Sequence, residues 1–520
     1  MRETCFGETL SVPSTVDVAR RRRIRPKAPR VTGSGLATVG RGWWLAVVLC
    51  TLLPSGVAAD NTEAAKQRAE SGIDSQSEAL VTLSEQVWDF AEIALYERRS
   101  AEVLADYAEA QGFRVDRGVA EMPSAFVATY GEGRPILGIL GEYDALPGLS
   151  QEAVPEHSVR VEGGAGHGCG HNLFGPASLG AAVAIKELMD DGLVNGTIRF
   201  YGTPAEESVA GKLYMARAGL FDDLDAAIAW HPGQEITADT TSSQAVADLM
   251  VRFTGRTAHA AFDPWNGRSA LDGVELFTHG INLLREHVRP TVRMHYAIVD
   301  GGQVPNVVPE HAAVWFWARD STRAGVDTVL ERVHQIIEGA ALAAGVDVEV
   351  KVQNVLYEIL VNFEGAKALH RNLERLGGLE WSDDEQAWAR QLQQSVGVDA
   401  SGLDGSIHPL VLDPGPPQGG STDVGDVSWI APTIHLSVTT APADVPWHAW
   451  PVVASSGHAV GQRGMLYAAK ALANTMVDLY LDGDLLAAMQ AEFATQTEGH
   501  TYVAAIPEGP PPVPEGVYDD

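Results

Sequence analysis

Short apolar runs that alternate with helix-patterned stretches set the strongest limit on how this chain folds. Ile136 to Leu140, Thr197 to Tyr201 and Ala226 to Trp230 read as buried strands, and Ala177 to Met189 reads as a helix between the first two. Leu80, Leu83, Val87, Phe90 and Ala94 keep the spacing of an amphipathic helix that opens the domain. Strands that alternate with helices need a sheet with covered faces, so the order predicts an α/β fold. In such sheets ligands bind beyond the carboxyl ends of the strands. The chemically distinctive residues fall at those ends.

A second pattern interrupts the first. Val246 to Phe253, Val292 to Val299, Ala312 to Arg319 and Val346 to Tyr357 read as strands, with helices over Ser269 to Arg285 and Gly325 to Ala343. The order β-α-β-β-α-β is ferredoxin-like and predicts a compact domain inserted into the larger one. The expected organisation is a catalytic domain over 60–245 and 361–490, an inserted lid or dimerisation domain over 246–360, and a tail over 491–520. Ile506-Pro-Glu-Gly-Pro-Pro-Pro-Val-Pro is too proline-rich for regular structure.

Residues 1–59 read as a leader rather than as fold. Nine basic side chains face three acidic ones there, and the apolar run Trp43 to Leu53 ends in Pro-Ser-Gly-Val-Ala-Ala59. A basic stretch, a short apolar stretch and a small-residue site predict a secretory signal peptide cleaved after Ala59, and hence a periplasmic or secreted protein. The alternative is an N-terminal anchor, although the apolar run is short for a bilayer span. The whole chain carries 37 Lys plus Arg against 68 Asp plus Glu, a net charge of −31. Without the leader it is six charges more acidic, at −37. A chain this acidic offers no basic surface for nucleic acid or an anionic membrane. Of Cys5, Cys50 and Cys169, only the last survives cleavage, which rules out a disulfide scaffold. A lone thiol is either inert and buried, or chosen for reactivity or metal binding.

Cys169 lies in the densest chemical signal, Gly164-Ala-Gly-His-Gly-Cys169-Gly-His171-Asn172, a glycine-rich loop just before a helix. A thiolate and an imidazole two residues apart can reach one borderline-soft cation. Thr203-Pro-Ala-Glu206-Glu207-Ser208 follows a strand directly. Adjacent carboxylates there are costly unless a cation neutralises them, and one can bind metal while the other moves a proton. His231 leaves a strand in Trp-His-Pro-Gly, and His448 lies between Trp447 and Trp450, with His458 as its rival before the final helix.

These residues resemble the two-metal metallopeptidase and amidohydrolase clan of carboxypeptidases, aminoacylases and auxin-conjugate hydrolases. The resemblance covers nearly all of residues 75–485. His-Gly-Cys-Gly-His-Asn, Thr-Pro-Ala-Glu-Glu, Gly420-Ser-Thr-Asp-Val-Gly-Asp-Val-Ser-Trp429 and Gly464-Met-Leu-Tyr-Ala-Ala-Lys470 are similar to the subgroup of aminobenzoyl-glutamate hydrolases and β-alanyl-lysine dipeptidases. It implies two divalent metal ions, zinc or manganese, held by Cys169 as a bridge and by His171, Glu207, His231 and His448. Glu206 falls on the general-base position, taking a proton from the attacking water and returning it to the leaving amine. Asp144, in Asp-Ala-Leu-Pro, matches a position that orients a ligand, and Asp423 and Asp426 match without a defined role. His259, in Gly-Arg-Thr-Ala-His-Ala-Ala, matches the histidine that reaches a partner subunit's active site and stabilises the oxyanion. Asn306 and Arg319 match substrate-binding positions, Arg319 for a carboxylate. The resemblance thus implies a homodimer through the lid domain, or assembly with a related second subunit.

Period 2 puts Trp315, Trp317 and Arg319 on one strand face and Val314, Phe316 and Ala318 on the other, against the helices. The first face reads either as a dimer contact or as a surface for an aryl-amide with a free carboxylate. The functional expectation is a metal-dependent hydrolase of N-acyl amino acids, aminobenzoyl-glutamate-like, with a β-alanyl-lysine-type dipeptidase as alternative. A non-catalytic metal- or solute-binding protein on the same fold is the reading from another class.

Overall fold

The structure, a computed structural model, describes residues 55–514 other than 418, with side chains from residue 61. The expected leader therefore lies outside the described residues, apart from 55–59, which begin the first helix. Among the described residues no helix is long and apolar enough to cross a membrane.

That helix, α1 (Ser55–Phe90), buries Ala65, Ala69, Ile73, Leu80, Leu83 and Val87 along one stripe. It stops before Ala94, which the spacing had placed on it: Ala91 turns left-handed at φ +43°. After α2 (Arg98–Ala110) the chain lays down β1 (Arg114–Arg117), β2 (Phe126–Gly131) and β3 (Ile136–Gly141). Next come α3 (His171–Asp190), β4 (Thr197–Gly202), α4 (Gly211–Arg217), β5 (Ala226–Gly233) and the short β6 (Thr237–Ala238). The α3 helix starts six residues before the apolar pattern does, so His171 is its first residue.

The inserted segment follows the expected order. It comprises β7 (Ala245–Thr254), α5 (Ala270–Leu284), β8 (Arg293–Asp300), β9 (His311–Asp320), α6 (Arg323–Ala344) and β10 (Asp347–Leu356). These strands form a separate antiparallel sheet in the order β10-β7-β9-β8. Val314, Phe316 and Ala318 are fully buried with Phe277 and Val333 of the two helices, as the period-2 reading requires. Trp315, on the other face, is 40% exposed.

The chain then returns with α7 (Phe363–Leu376), α8 (Asp383–Val396), α9 (Val424–Ser428), β11 (Thr433–Thr439), α10 (Trp450–Ser456), α11 (Ala459–Leu481) and α12 (Gly483–Gln496). The α12 helix runs six residues past 490, so the irregular tail begins later than the expected boundary. Beyond it, Arg217 holds the carbonyls of Pro507 and Gly509.

The larger sheet has the order β1-β2-β4-β3-β5-β11-β6. Its centre, β4-β3-β5-β11, is parallel and both edges are antiparallel. The antiparallel edges carry no long apolar run and were not visible in the sequence pattern. Parallel strands share one carboxyl end, so the segments leaving β3 and β4 converge there with the N-terminus of α3. Helices α1, α3 and α11 pack on one another beside this sheet. Gly180 allows the closest approach, since a Cβ there would lie 2.5 Å from Leu80 Cδ1. Leu80→Ala should leave a cavity behind α3 and lower stability by about 2–5 kcal/mol, read from the denaturant midpoint.

Candidate metal centre

Three of the parallel strands each deliver one part of the site. Directly after β3 come Glu142 and Asp144; the loop after β4 carries Glu206 and Glu207; β5 runs through His231 to Gly233. Gly170 turns the glycine-rich loop into α3 at φ +80°, where a Cβ would also meet Pro232 at 2.9 Å. Cys169 and His171 flank that turn.

Cys169 Sγ lies 3.3 Å from His231 Nε2, and His231 Nδ1 is tied to the Pro232 carbonyl at 2.7 Å. His171 Nδ1 is engaged by Asp144 Oδ1 at 2.9 Å, which leaves its Nε2 to face the site. Asp144 Oδ2 accepts the Glu207 backbone N–H at 2.9 Å, so one carboxylate sets both side chains. His448 takes a left-handed backbone (φ +53°) and donates its N–H to the Gly168 carbonyl. Its Nε2 is 3.5 Å from Glu207 Oε2.

Among the described residues, three groups of donor atoms each lie within 4.8 Å of one another: Cys169, His171 and His231; Cys169, Glu207 and His448; Glu142, His171 and Glu206. Cys169 and His171 each belong to two of them. His458 is elsewhere, its ring stacked on Trp388 at 4.1 Å and its Nδ1 capping α11. Of the two rival histidines, the fold brings His448 to the group.

The electrostatics fit a cation. Glu142 Oε2, His171 Nε2 and Glu207 Oε1 are buried without a hydrogen-bond partner, and a buried polar atom left unpaired costs about 1–3 kcal/mol. Burial, with Glu207 beside it, pushes the Cys169 thiol up to about 12. Burial also raises Glu207 to about 7 and lowers His231 to about 4. Glu206 is pushed well above the carboxylate range by burial and by the neighbouring Glu142 and Glu207. This is what buried acidic groups do to one another when they lie this close. Thiolate and imidazole donors suit zinc, and the carboxylates also suit manganese.

Arg319 and Trp317 line the same cavity of about 580 Å³ as Cys169, Glu206, Glu207, His231 and His448. Arg319 donates to Ser421 Oγ at 3.0 Å and lies 5.0 Å over the Trp317 ring. Burial alone shifts its pKa, downward, with no carboxylate contributing. Trp315, edge-on to Trp317 with ring centroids 6.3 Å apart, donates its indole N–H to Asp248 at 2.6 Å. His259 and Asn306 are not brought to the cluster within the chain. Both are exposed on the inserted segment; His259 Nδ1 accepts the Ala261 and Phe262 N–H groups, and the Asn306 carbonyl accepts from Ala260.

The profile of the Peptidase family M20/M25/M40 matches residues 138–430, from β3 through the inserted sheet to the turn after α9. This chain belongs to that family. Known proteins are similar to it along most of its length. One of the subunits of the p-aminobenzoyl-glutamate hydrolase of Escherichia coli (strain K12) is 37% identical, covering 86% of this chain and 98% of that protein. The Xaa-Arg dipeptidase of Homo sapiens is 29% identical over 85% and 95%. A dinuclear metal binding peptidase of Bacillus subtilis shares the fold with a TM-score of 0.54 at 16% identity, over 78% of this chain and 99% of that one. This peptidase-family chain is a hydrolase of amide bonds.

Three residues of the site escaped sequence reading. Glu97, fully buried, accepts the Ala205 N–H at 2.8 Å and so holds the turn that presents Glu206. Glu142 sits two residues before Asp144 in a motif noticed only for its aspartate. Lys212 is buried against Glu142 and Asp423. Asp426 faces away, binding Tyr502 and the Tyr357 N–H. Asp144→Asn should weaken zinc or manganese binding by about 10–100-fold in chelator competition, whereas His458→Asn should leave it unchanged.

Proposed function

We propose that this chain is an exported two-metal hydrolase that cleaves the amide of an N-acyl amino acid, with aminobenzoyl-glutamate-like compounds as its substrate class. One observation carries the reading: a single cavity joins the metal-type donor group to a half-buried guanidinium that no carboxylate among the described residues pairs with. Cys169, His171, Glu207, His231 and His448 would hold two divalent ions, zinc or manganese. When bound, such ions polarise the carbonyl and favour ionisation of the attacking water. Glu206, unpaired beside them, takes a proton from that water as its oxygen bonds to the carbonyl carbon. It returns the proton to the amine nitrogen as the C–N bond breaks. Arg319 pairs with the free carboxylate of the substrate, and the Trp317 face receives an aryl group. A carboxylate ligand entering so acidic a protein needs such a local cation. Asp239 and Asp248, on the wall of the same cavity, favour as a second reading a dipeptide with a basic side chain. Mass spectrometry of products from aminobenzoyl-glutamate, β-alanyl-lysine and other acyl-amino acids decides between them. Glu206→Gln should keep bound metal and lose about 10²–10⁴-fold in kcat; full activity would remove Glu206 from its role, and metal binding without hydrolysis of any compound would favour a binding protein.

The proposed assembly is a homodimer through the inserted domain, with a related second subunit as the other arrangement, supported by the Escherichia coli relative's being one subunit of its hydrolase. The exposure of His259 and Asn306, with Phe262 and Trp265 at 78% and 72% exposed on the same segment, supports a role for them in another copy's site. The basic, apolar and small-residue leader supports export to the periplasm or beyond. His259→Ala should lower kcat by about 10²–10³-fold, the loss of one oxyanion donor. Mixing that variant with Glu206→Gln should recover activity, because a mixed dimer rebuilds one intact site; no recovery would place His259 in its own chain's site.

A further inference from the structure

Lys212, the second residue of α4, is fully buried. Its Nζ lies 2.6 Å from Asp423 Oδ1 and 2.6 Å from Glu142 Oε1, and its own backbone N–H donates to Asp423 Oδ2 at 2.9 Å. Asp423 thus grips the lysine at two points and by itself balances the charge. Glu142 is a surplus carboxylate, 1% exposed, held on one oxygen only. Its other oxygen, Oε2, has no hydrogen-bond partner and lies 3.1 Å from His171 Nε2, which has none either. Asp144 occupies the far nitrogen of that imidazole. Two unpartnered, buried donor atoms therefore face one point, and Glu206 offers a third within 4.8 Å. A buried carboxylate kept half-satisfied is costly unless something meets its free oxygen.

We propose that Glu142 is a further metal-binding carboxylate of the site and that Lys212, anchored by Asp423, is the residue that positions it. The lysine fixes Oε1, so the carboxylate plane presents Oε2 to the cation shared with His171. The proposal rests on the metal-centre reading above.

The test uses the full chain freed of metal, with zinc and manganese each added alone against a fluorescent chelator, and melting temperatures of the metal-free proteins. Glu142→Asp keeps the charge and withdraws the oxygen by one methylene. It should weaken at least one of the two binding steps by about 10-fold or more while the metal-free protein melts near the parent. Lys212→Met should weaken the same step, and Lys212→Arg should restore part of it. Parent-like affinity in Glu142→Asp overturns the proposal, since a mere counter-ion would cost stability and leave affinity alone. Unchanged or tighter binding in Lys212→Met overturns the positioning role. If Lys212→Met does not fold, Glu142→Asp still decides the carboxylate. A parent chain that takes up neither ion overturns the metal-centre reading and this proposal together; with a parent that binds them, parent-like affinity in Glu142→Asp overturns this proposal alone and leaves that reading standing.

Discussion

The unfavourable concentration of negative charge at the carboxyl ends of β3 and β4 governs the rest of the molecule. Glu142, Asp144 and Asp423, all buried, crowd together with Glu206 and Glu207 of the cavity wall at this end of the sheet. In a medium of low dielectric these groups cannot all ionise without counter-charge. The protein supplies Lys212 there as a fixed cation. Divalent ions supply the remainder in the proposed holoenzyme. The family assignment and this charge arithmetic point to the same chemistry from different directions.

The scaffold serves that concentration by rigid placement. Parallel strands end together, so side chains far apart in the chain arrive at one edge without long loops. Asp144 sets both the His171 ring and the Glu207 backbone, and Glu97 clamps the turn before Glu206, where Ala205 sits left-handed at φ +62°. Helix α3 is pinned behind the site by α1 and α11, which is why its first residue can be a ligand candidate rather than a fraying end. The inserted sheet closes the cavity from the other side and contributes Trp317 and Arg319 from alternate positions of β9.

Much of this was legible in the amino-acid order. Each parallel strand of the centre before β11 announced itself as an apolar run, and the βαββαβ insertion followed its pattern to within a few residues. Cys169, His171, Glu206 and Glu207 stood out because unusual residue types cluster there at ligand spacing. Glu97, Glu142 and Lys212 did not, because an isolated acid or lysine has the same letter on a solvated surface as in a buried network. The edge strands β1 and β2 were hidden for a related reason: mixed short segments carry no period strong enough to separate strand from loop.

The sheet-and-helix framework, its insertion and the residue types that can hold a cation are written into the amino-acid order. Periodicity and local spacing are properties of the chain, and they survive without knowledge of what packs against what. Tertiary structure alone decided that His448 rather than His458 joins the cluster, that His259 and Asn306 stand apart from it, and that Lys212 sits among carboxylates. Those are matters of distance between segments up to hundreds of residues apart. Burial then decides which charges must be paired, and burial is created only when the segments meet.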